Sequence, residues 1–100
     1  MKAWLAIDVV GLGAGLGKMD IVVVPRPNGN CLAVKVTRDG RVWIDEEMDG
    51  QPSPEDELQE IEIDDGLAET INTTFDSRGE ELSQSSKANM INLVNGTLLM

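Results

Sequence analysis

The sequence predicts an α+β fold, in which a small antiparallel sheet of three to four N-terminal strands is followed by two helices. Three observations support this class: β-forming runs end at glycine or proline before residue 45, helical periods begin after residue 66, and an acidic stretch separates the two. The chain has 100 residues, of which 41% are apolar, and this is enough for one modest core. We therefore expect a single domain with a β-rich half (1–45), an acidic connector (46–66) and a helical half (67–100).

Four runs of the N-terminal half have the composition of strands. The run 3–10 is followed by a glycine, and the run 20–24 is followed by a proline. Residues 31–37 alternate between two faces, residues 41–45 continue the alternation, and the Asp39-Gly40 pair between them is a typical hairpin turn. The basic residues of this hairpin are expected near its solvent side: Lys35, Arg38 and Arg41.

Residues 54–64 fit two different structures. Ser53-Pro54 followed by three acidic residues is a typical helix start and predicts a helix from 54 to about 61. The alternation of acidic residues with Ile61 and Ile63 predicts a strand from 58 to 64 instead. The pattern does not choose between them, and both display the carboxylates on an exposed face.

Two helices are predicted in the C-terminal half. The first is capped by Asp64 or Asp65, and its apolar residues Leu67, Ile71 and Phe75 recur every fourth position. The second runs over 83–95 and stops at glycine 96. Its expected apolar face consists of Ala88, Ile91 and Val94. An alternative is a hairpin that turns at the Asn-Gly pair 95–96 and pairs 90–94 with 97–100.

The charge of the chain is strongly one-sided. Residues 1–44 carry a net charge of +3 and residues 45–100 carry −13, which gives −10 for the whole chain. The segment 45–65 holds eleven of the eighteen acidic residues and no basic one. Such a field attracts basic surfaces and repels nucleic acid and anionic lipid. We therefore expect neither direct nucleic-acid binding nor membrane binding, and the candidate partner-binding residues are Asp45, Glu46, Glu47, Asp49, Glu55, Asp56, Glu57, Glu60, Glu62, Asp64 and Asp65.

Several chemistries are disfavoured by composition. The chain has no histidine and no tyrosine, so histidine-based acid–base catalysis and imidazole metal ligation are absent. Cys31 is the single cysteine, which predicts a small core side chain and a reducing, cytoplasmic location. The glycines at 11–17 recur every second residue and do not match a dinucleotide-binding fingerprint. We expect no catalytic activity, no cofactor and no transmembrane segment.

The acidic stretch also contains an incomplete calcium-loop pattern. Asp45, Glu47, Asp49, Gly50, Ser53 and Asp56 occupy positions 1, 3, 5, 6, 9 and 12 of an EF-hand-like loop. Pro52 replaces the expected aliphatic residue, Asp56 is shorter than the usual glutamate, and a strand enters the loop in place of a helix. Calcium binding is an alternative function, and a structural subunit that assembles through a sheet edge is another.

The acidic run 45–65, the absence of histidine and the β-then-α order are together similar to the small, acidic phage proteins that counter host defences, among them the anti-CRISPR proteins. The similarity lies in composition and element order, with no shared residue motif. It implies a non-enzymatic protein that binds a basic, nucleic-acid-handling partner and inhibits it by occupying its nucleic-acid site. Closely set carboxylates can stand in for backbone phosphates in such a site.

Overall fold

The computed structural model describes residues 1–10, 18–77 and 81–98 of the chain. These residues form β1 (Lys2–Val10), β2 (Lys18–Pro25), β3 (Cys31–Thr37), β4 (Val42–Met48), a short 3₁₀ turn (Pro54–Asp56), β5 (Gln59–Glu62), α1 (Asp65–Asp76) and α2 (Gln84–Leu98). The predicted α+β class is confirmed, with a larger sheet than predicted because β5 lies inside the acidic connector. The glycine-rich segment 11–17 lies outside the described residues.

The strands of the described residues form one antiparallel sheet in the order β4-β3-β2-β1-β5. Strands β1 to β4 are a meander, and β5 adds to the other side of β1, where Ile61 pairs with Ala3. The strand alternative for residues 58–64 is therefore confirmed, and the helical alternative is limited to one 3₁₀ turn. Pairing with β5 covers the outer side of β1 from Lys2 to Leu5, and Ile63 just beyond β5 is only 2% exposed.

The hairpin predicted at Asp39-Gly40 is confirmed. The N–H of Thr37 donates to the carbonyl of Arg41 at 2.9 Å, and the Gly40 N–H donates back to Thr37 at 3.2 Å. Gly40 has a φ of 90°, a left-handed conformation that favours glycine. The turn therefore sets the register in which β3 pairs with β4.

The main core lies between one face of the sheet and the two helices. Alternate residues of the strands point into it, as the period of two in Leu32, Val34 and Val36 predicts. Helices α1 and α2 cover this face because each has an apolar side toward it. The fully buried members include Leu5, Val22, Val24, Leu32, Val34, Ile44, Ile63, Ile71, Met90 and Val94.

Helix α1 follows its prediction. Asp64 is the N-cap, and its carboxylate accepts a hydrogen bond from the Leu67 N–H at 3.1 Å. Ile71 is buried, while Leu67 and Phe75 are partly buried against the same core. The predicted spacing therefore identifies the correct face of this helix.

Helix α2 differs from its prediction in two respects. Its buried side consists of Ser86, Met90 and Val94, whereas Ala88 is exposed. The helix continues through Gly96 to Leu98, so the predicted stop and the alternative hairpin are both wrong. A glycine inside a helix costs about 1 kcal/mol relative to alanine, and core burial of this helix offsets it. Neither described helix is long and apolar enough to span a bilayer.

Candidate interaction surface

The acidic stretch connects the two edges of the sheet. It begins in β4, ends at the start of α1 and includes β5, and β4 and β5 are the outermost strands. Residues 49–58, here called the crossing segment, must therefore span the width of the sheet, roughly 19 Å at about 4.8 Å per strand spacing. Ten extended residues reach about 33 Å, so the segment can cross the sheet and still include the 3₁₀ turn.

The crossing segment lies on the second face of the sheet, opposite the helices. Leu58 and Met48 pack there against a small cluster of Trp4, Val23 and Cys31. Cys31 is completely buried, as predicted for a core side chain, and burial raises the pKa of its thiol. This second cluster anchors the crossing segment to the sheet.

Two grooves flank the crossing segment and share Pro52 and Leu58 as lining residues. One, of about 420 Å³, has an apolar floor that includes Ile21, and its charged lining residues are Lys35, Asp45, Glu46 and Asp56. The other, of about 410 Å³, contains Lys2, Trp4 and Glu60. Predicted acidic residues of β4 (Asp45 and Glu46), of the crossing segment (Asp56) and of β5 (Glu60) thus line grooves on the same side of the molecule.

Four of the eleven predicted carboxylates have no hydrogen bond or ion pair with any described residue. They are exposed, and one of them follows the bulge in β4 while the other three lie in the crossing segment. Their charge is available to a partner without breaking an existing contact. These residues are Glu46, Asp49, Glu55 and Glu57.

Four more carboxylates form ion pairs, which are exposed except for the partly buried pair of Asp45 with Lys35. Asp45 lies 3.1 Å from Nζ of Lys35, and Glu60 lies 3.5 Å from Nζ of Lys2. The amino group of Met1 lies 2.9 Å from Glu62 and 3.2 Å from Asp65. Exposed pairs of this kind contribute about 0–1 kcal/mol each, so a partner can displace the cation at low cost.

The remaining three carboxylates support the fold. Asp64 caps α1, and Asp56 accepts from the Ser53 N–H at 2.8 Å to close the 3₁₀ turn. Glu47 accepts from Nδ2 of Asn30 at 2.8 Å. Hydrogen bonds from Asn30, then from Asn28, together with the charge and hydrogen bond of Arg26, hold the pKa of the Glu47 carboxyl below its usual value.

The calcium-loop pattern does not assemble within the described residues. A bulge in β4 leaves Asp45 without a residue opposite it in the backbone ladder with β3, and its side chain pairs with Lys35 on the second face. Glu47 instead bonds Arg26 on the helix side. No group of three or more potential ligand residues gathers in the part of the chain that the structure describes.

Arg26 was not anticipated as an organising residue. It lies in the turn between β2 and β3, where the local pattern indicates only a proline-rich connection. In the structure its guanidinium bonds both Glu47 and Asp76 and lies 5.0 Å over the ring of Phe75. In the sequence, Arg26 is an isolated basic residue among the proline, asparagine and glycine residues of a turn. This pattern does not identify its partners.

Trp43 lies in β4, at one edge of the sheet. The residue is half-buried, the guanidinium of Arg41 lies 6.0 Å from its ring centroid, and its backbone forms a bridge with Glu81. The backbone at Glu81 thus covers the outer edge of β4 at Trp43.

Comparison of the chain with models of known protein families, with curated proteins and with solved structures finds no match. What the protein binds is therefore inferred from its surface.

Proposed function

We propose that this is a non-enzymatic interaction protein whose acidic surface binds a basic, nucleic-acid-handling partner in the cytoplasm. By occupying the nucleic-acid site of that partner it acts as an inhibitor, in the manner of the phage anti-CRISPR proteins that it resembles. The observation that carries the proposal is a set of exposed carboxylates, on and beside the crossing segment, that have no partner among the described residues: Glu46, Asp49, Glu55 and Glu57.

The chemistry of these groups suits a phosphate-binding cleft. Arginine and lysine that clamp a nucleic-acid backbone form charge-assisted hydrogen bonds equally well with carboxylates. The crossing segment is anchored to the sheet by Leu58, which limits the ordering cost on binding. Because the attraction acts within a Debye length of about 8 Å at physiological salt, binding weakens as salt rises.

The contacts of the eleven carboxylates support a smaller proposed set of binding residues. The four carboxylates without partners would contact the partner directly, and Asp45 and Glu60 would exchange their lysines for its arginines. Asp56, Glu62 and Asp65 would add to the negative electrostatic field that attracts the basic partner. Glu47 and Asp64 serve the fold and are excluded from the direct contact set.

The test is a matched pair of triple variants. Glu46→Gln, Glu55→Gln and Glu57→Gln remove three acids that have no described partner. The control, Asp39→Asn, Glu69→Gln and Glu81→Gln, removes three exposed acids outside the stretch, so both variants have the same net charge. Each immobilised protein is exposed to nuclease-treated lysate of the source cells or their host, and bound proteins are eluted with a salt gradient and identified by mass spectrometry.

We expect the wild-type and control proteins to retain a nucleic-acid-binding protein that the test variant loses. The purified partner should then release a fluorescent oligonucleotide when the wild-type protein is added. Equal retention by the two triple variants, or retention without displacement of the oligonucleotide, would contradict the proposal.

A further inference from the structure

Strand β5 leaves one side of its backbone unpaired within the described part of the chain. The Ile63 N–H donates to the Met1 carbonyl at 2.9 Å, and Ile61 pairs with Ala3 in the same register. Because bonding residues alternate along an antiparallel ladder, Glu60 and Glu62 direct their N–H and C=O groups away from β1. None of the described residues pairs with this outer edge. The edge thus presents the hydrogen-bonding groups that an added strand requires.

A groove of about 600 Å³ runs along the same edge, between β5 and the C-terminal half of α2. Ile61 lines it from the strand, and Leu93 and Gly96 line it from the helix. A Cβ atom added at Gly96 would have no neighbour within 4 Å, so the groove has room at this point. Apolar side chains of an added strand would enter it at the positions that share a face with Ile61.

The side chains of Glu60 and Glu62 indicate which kind of strand the β5 edge would accept. They lie on the other face of β5, where their exposed fractions are 65% and 84%. Residues opposite them on an added strand would be direct cross-strand neighbours, where opposite charges stabilise and like charges destabilise. A second copy that paired through the same edge would bring the glutamates of the two chains together, and each chain has a net charge of −10. Because like charges repel, the charge favours a basic partner over a second copy.

The other edge of the sheet is less suited to the same role. The bridge between Trp43 and Glu81 occupies part of the β4 edge. A bulge also interrupts β4 between its pairs with Ala33 and Val34. Bulges and covering segments are the usual means by which an edge is protected from added strands.

We propose that β5 takes up an extended segment of the basic partner as an additional strand. Lysine or arginine of that segment would lie opposite Glu60 and Glu62, and the alternate apolar side chains would pack against Ile61 and Leu93. This inference rests on the proposed function, because it supplies the way in which the partner docks. Main-chain hydrogen bonds provide affinity in such complexes, and alternate side chains provide specificity.

The probe is a synthetic peptide of about seven residues that alternates lysine and valine. One control peptide has the same composition with the lysines and valines in separate blocks, and another is N-methylated on the bonds that would face β5. We expect the alternating peptide to bind about tenfold more tightly than either control, since the controls lose the side-chain alternation or about two hydrogen bonds.

Amide hydrogen exchange of the ¹⁵N-labelled protein provides the residue-specific readout. In the free protein the Ile61 N–H, which faces β1, should exchange slowly, and those of Glu60 and Glu62 should exchange rapidly. Saturation with the alternating peptide should slow exchange at Glu60 and Glu62 by about tenfold or more.

Two pairs of variants separate the edge from the groove. Glu60→Pro and Glu60→Gln remove the same charge, but only proline removes the outward N–H, and proline is tolerated on an edge strand. Gly96→Phe fills the groove, while Gly96→Ala leaves most of it open, and both replace a helical glycine with a better helix former. We expect the proline and phenylalanine variants to bind the alternating peptide about tenfold more weakly than their controls.

Binding of all three peptides with equal affinity and no protection of Glu60 and Glu62 would overturn strand addition and leave a charge-based contact intact. Absence of binding would also overturn it. The proposed function is tested separately by the triple variants, which leave β5 and the groove unchanged, so the two failures are distinguishable.

Discussion

Arg26 and Glu47 are joined by a hydrogen bond of 3.1 Å from Nη1 to Oε1, across a separation of 21 positions in the chain. The same guanidinium bonds Asp76 at the end of α1, and its side chain is only 10% exposed. One cation therefore ties the β2–β3 turn to the edge strand β4 and to a helix. Glu47, an acidic residue of the stretch, thus serves the fold and is not part of the proposed binding surface.

Replacement of Arg26 by methionine should lower the free energy of unfolding by about 2 kcal/mol, because two carboxylates lose a largely buried cation while the packing on Phe75 is partly kept. Urea unfolding measures the change. Arg41→Met is the matched control, since Arg41 is exposed and pairs only with Asp39 among the described carboxylates. Its expected effect is below about 0.5 kcal/mol, and equal effects of the two substitutions would contradict the prediction.

The stability contributed by Glu47 should depend on pH. Hydrogen bonds from Asn30 and Asn28 depress the pKa of this carboxyl in the folded protein below its ordinary value of 4.5. A depressed folded-state pKa favours folding while the group is ionised, so the contribution is complete above pH 4.5 and is lost as the pH falls through the folded-state pKa. We expect Glu47→Gln to flatten the acid limb of the stability profile below pH 4.5, where the contribution of Glu47 is lost.

Urea unfolding at several pH values measures this limb for the wild type, Glu47→Gln and the control Glu69→Gln. Glu69 is exposed and has no described hydrogen bond, so its substitution changes the charge alone. If the stability of Glu47→Gln falls with decreasing pH as steeply as that of the wild type, the contacts with the asparagines do not make stability depend on the ionisation of Glu47.

Truncation of Leu58 should release the crossing segment from the second face. Leu58→Ala removes a half-buried side chain from the cluster of Trp4, Val23 and Cys31, with an expected cost of about 1–2 kcal/mol. In a Trp43→Phe background, the emission of Trp4 should shift to longer wavelength. Leu67→Ala, on the helix side, should lower stability without this shift, and an unchanged Trp4 spectrum in Leu58→Ala would argue against the anchor.

Asp64 should affect stability without affecting the partner. Asp64→Ala removes the N-cap of α1 and should cost about 1 kcal/mol, whereas Asp64→Asn keeps an oxygen acceptor and should cost only a fraction of that. Thermal unfolding measures both. Retention of the partner in the pull-down should be unchanged, and a loss in both variants with unchanged stability would instead place Asp64 in the contact.

Local chemistry explains which parts of the fold were predictable. The Asp39-Gly40 turn, the spacing of Leu67, Ile71 and Phe75, and the alternation in β3 each depend on neighbours in sequence, and each was predicted correctly. The second helix was predicted, but its end was not, because burial of Met90 and Val94 against the sheet outweighs the stop signal of Gly96.

The candidate site required information that a local pattern does not contain. The sequence identified the acidic stretch, but the eleven carboxylates differ in role because their partners come from distant segments. Glu47 meets Arg26, Asp45 meets Lys35 and Glu60 meets Lys2 only after the sheet has formed. The bulge that turns Asp45 to the second face has no signature in composition.

The pairing of Ala3 with Ile61 determines the order in which the two sides of β1 can be paired during synthesis of the chain. Strands β1 to β4 leave the ribosome in the order in which they pair, so the meander can close as it emerges. One side of β1 must wait until β5 has cleared the exit tunnel. Over that interval a nascent chain exposes the β1 edge together with Ala3 and Leu5, which become almost completely buried in the finished protein.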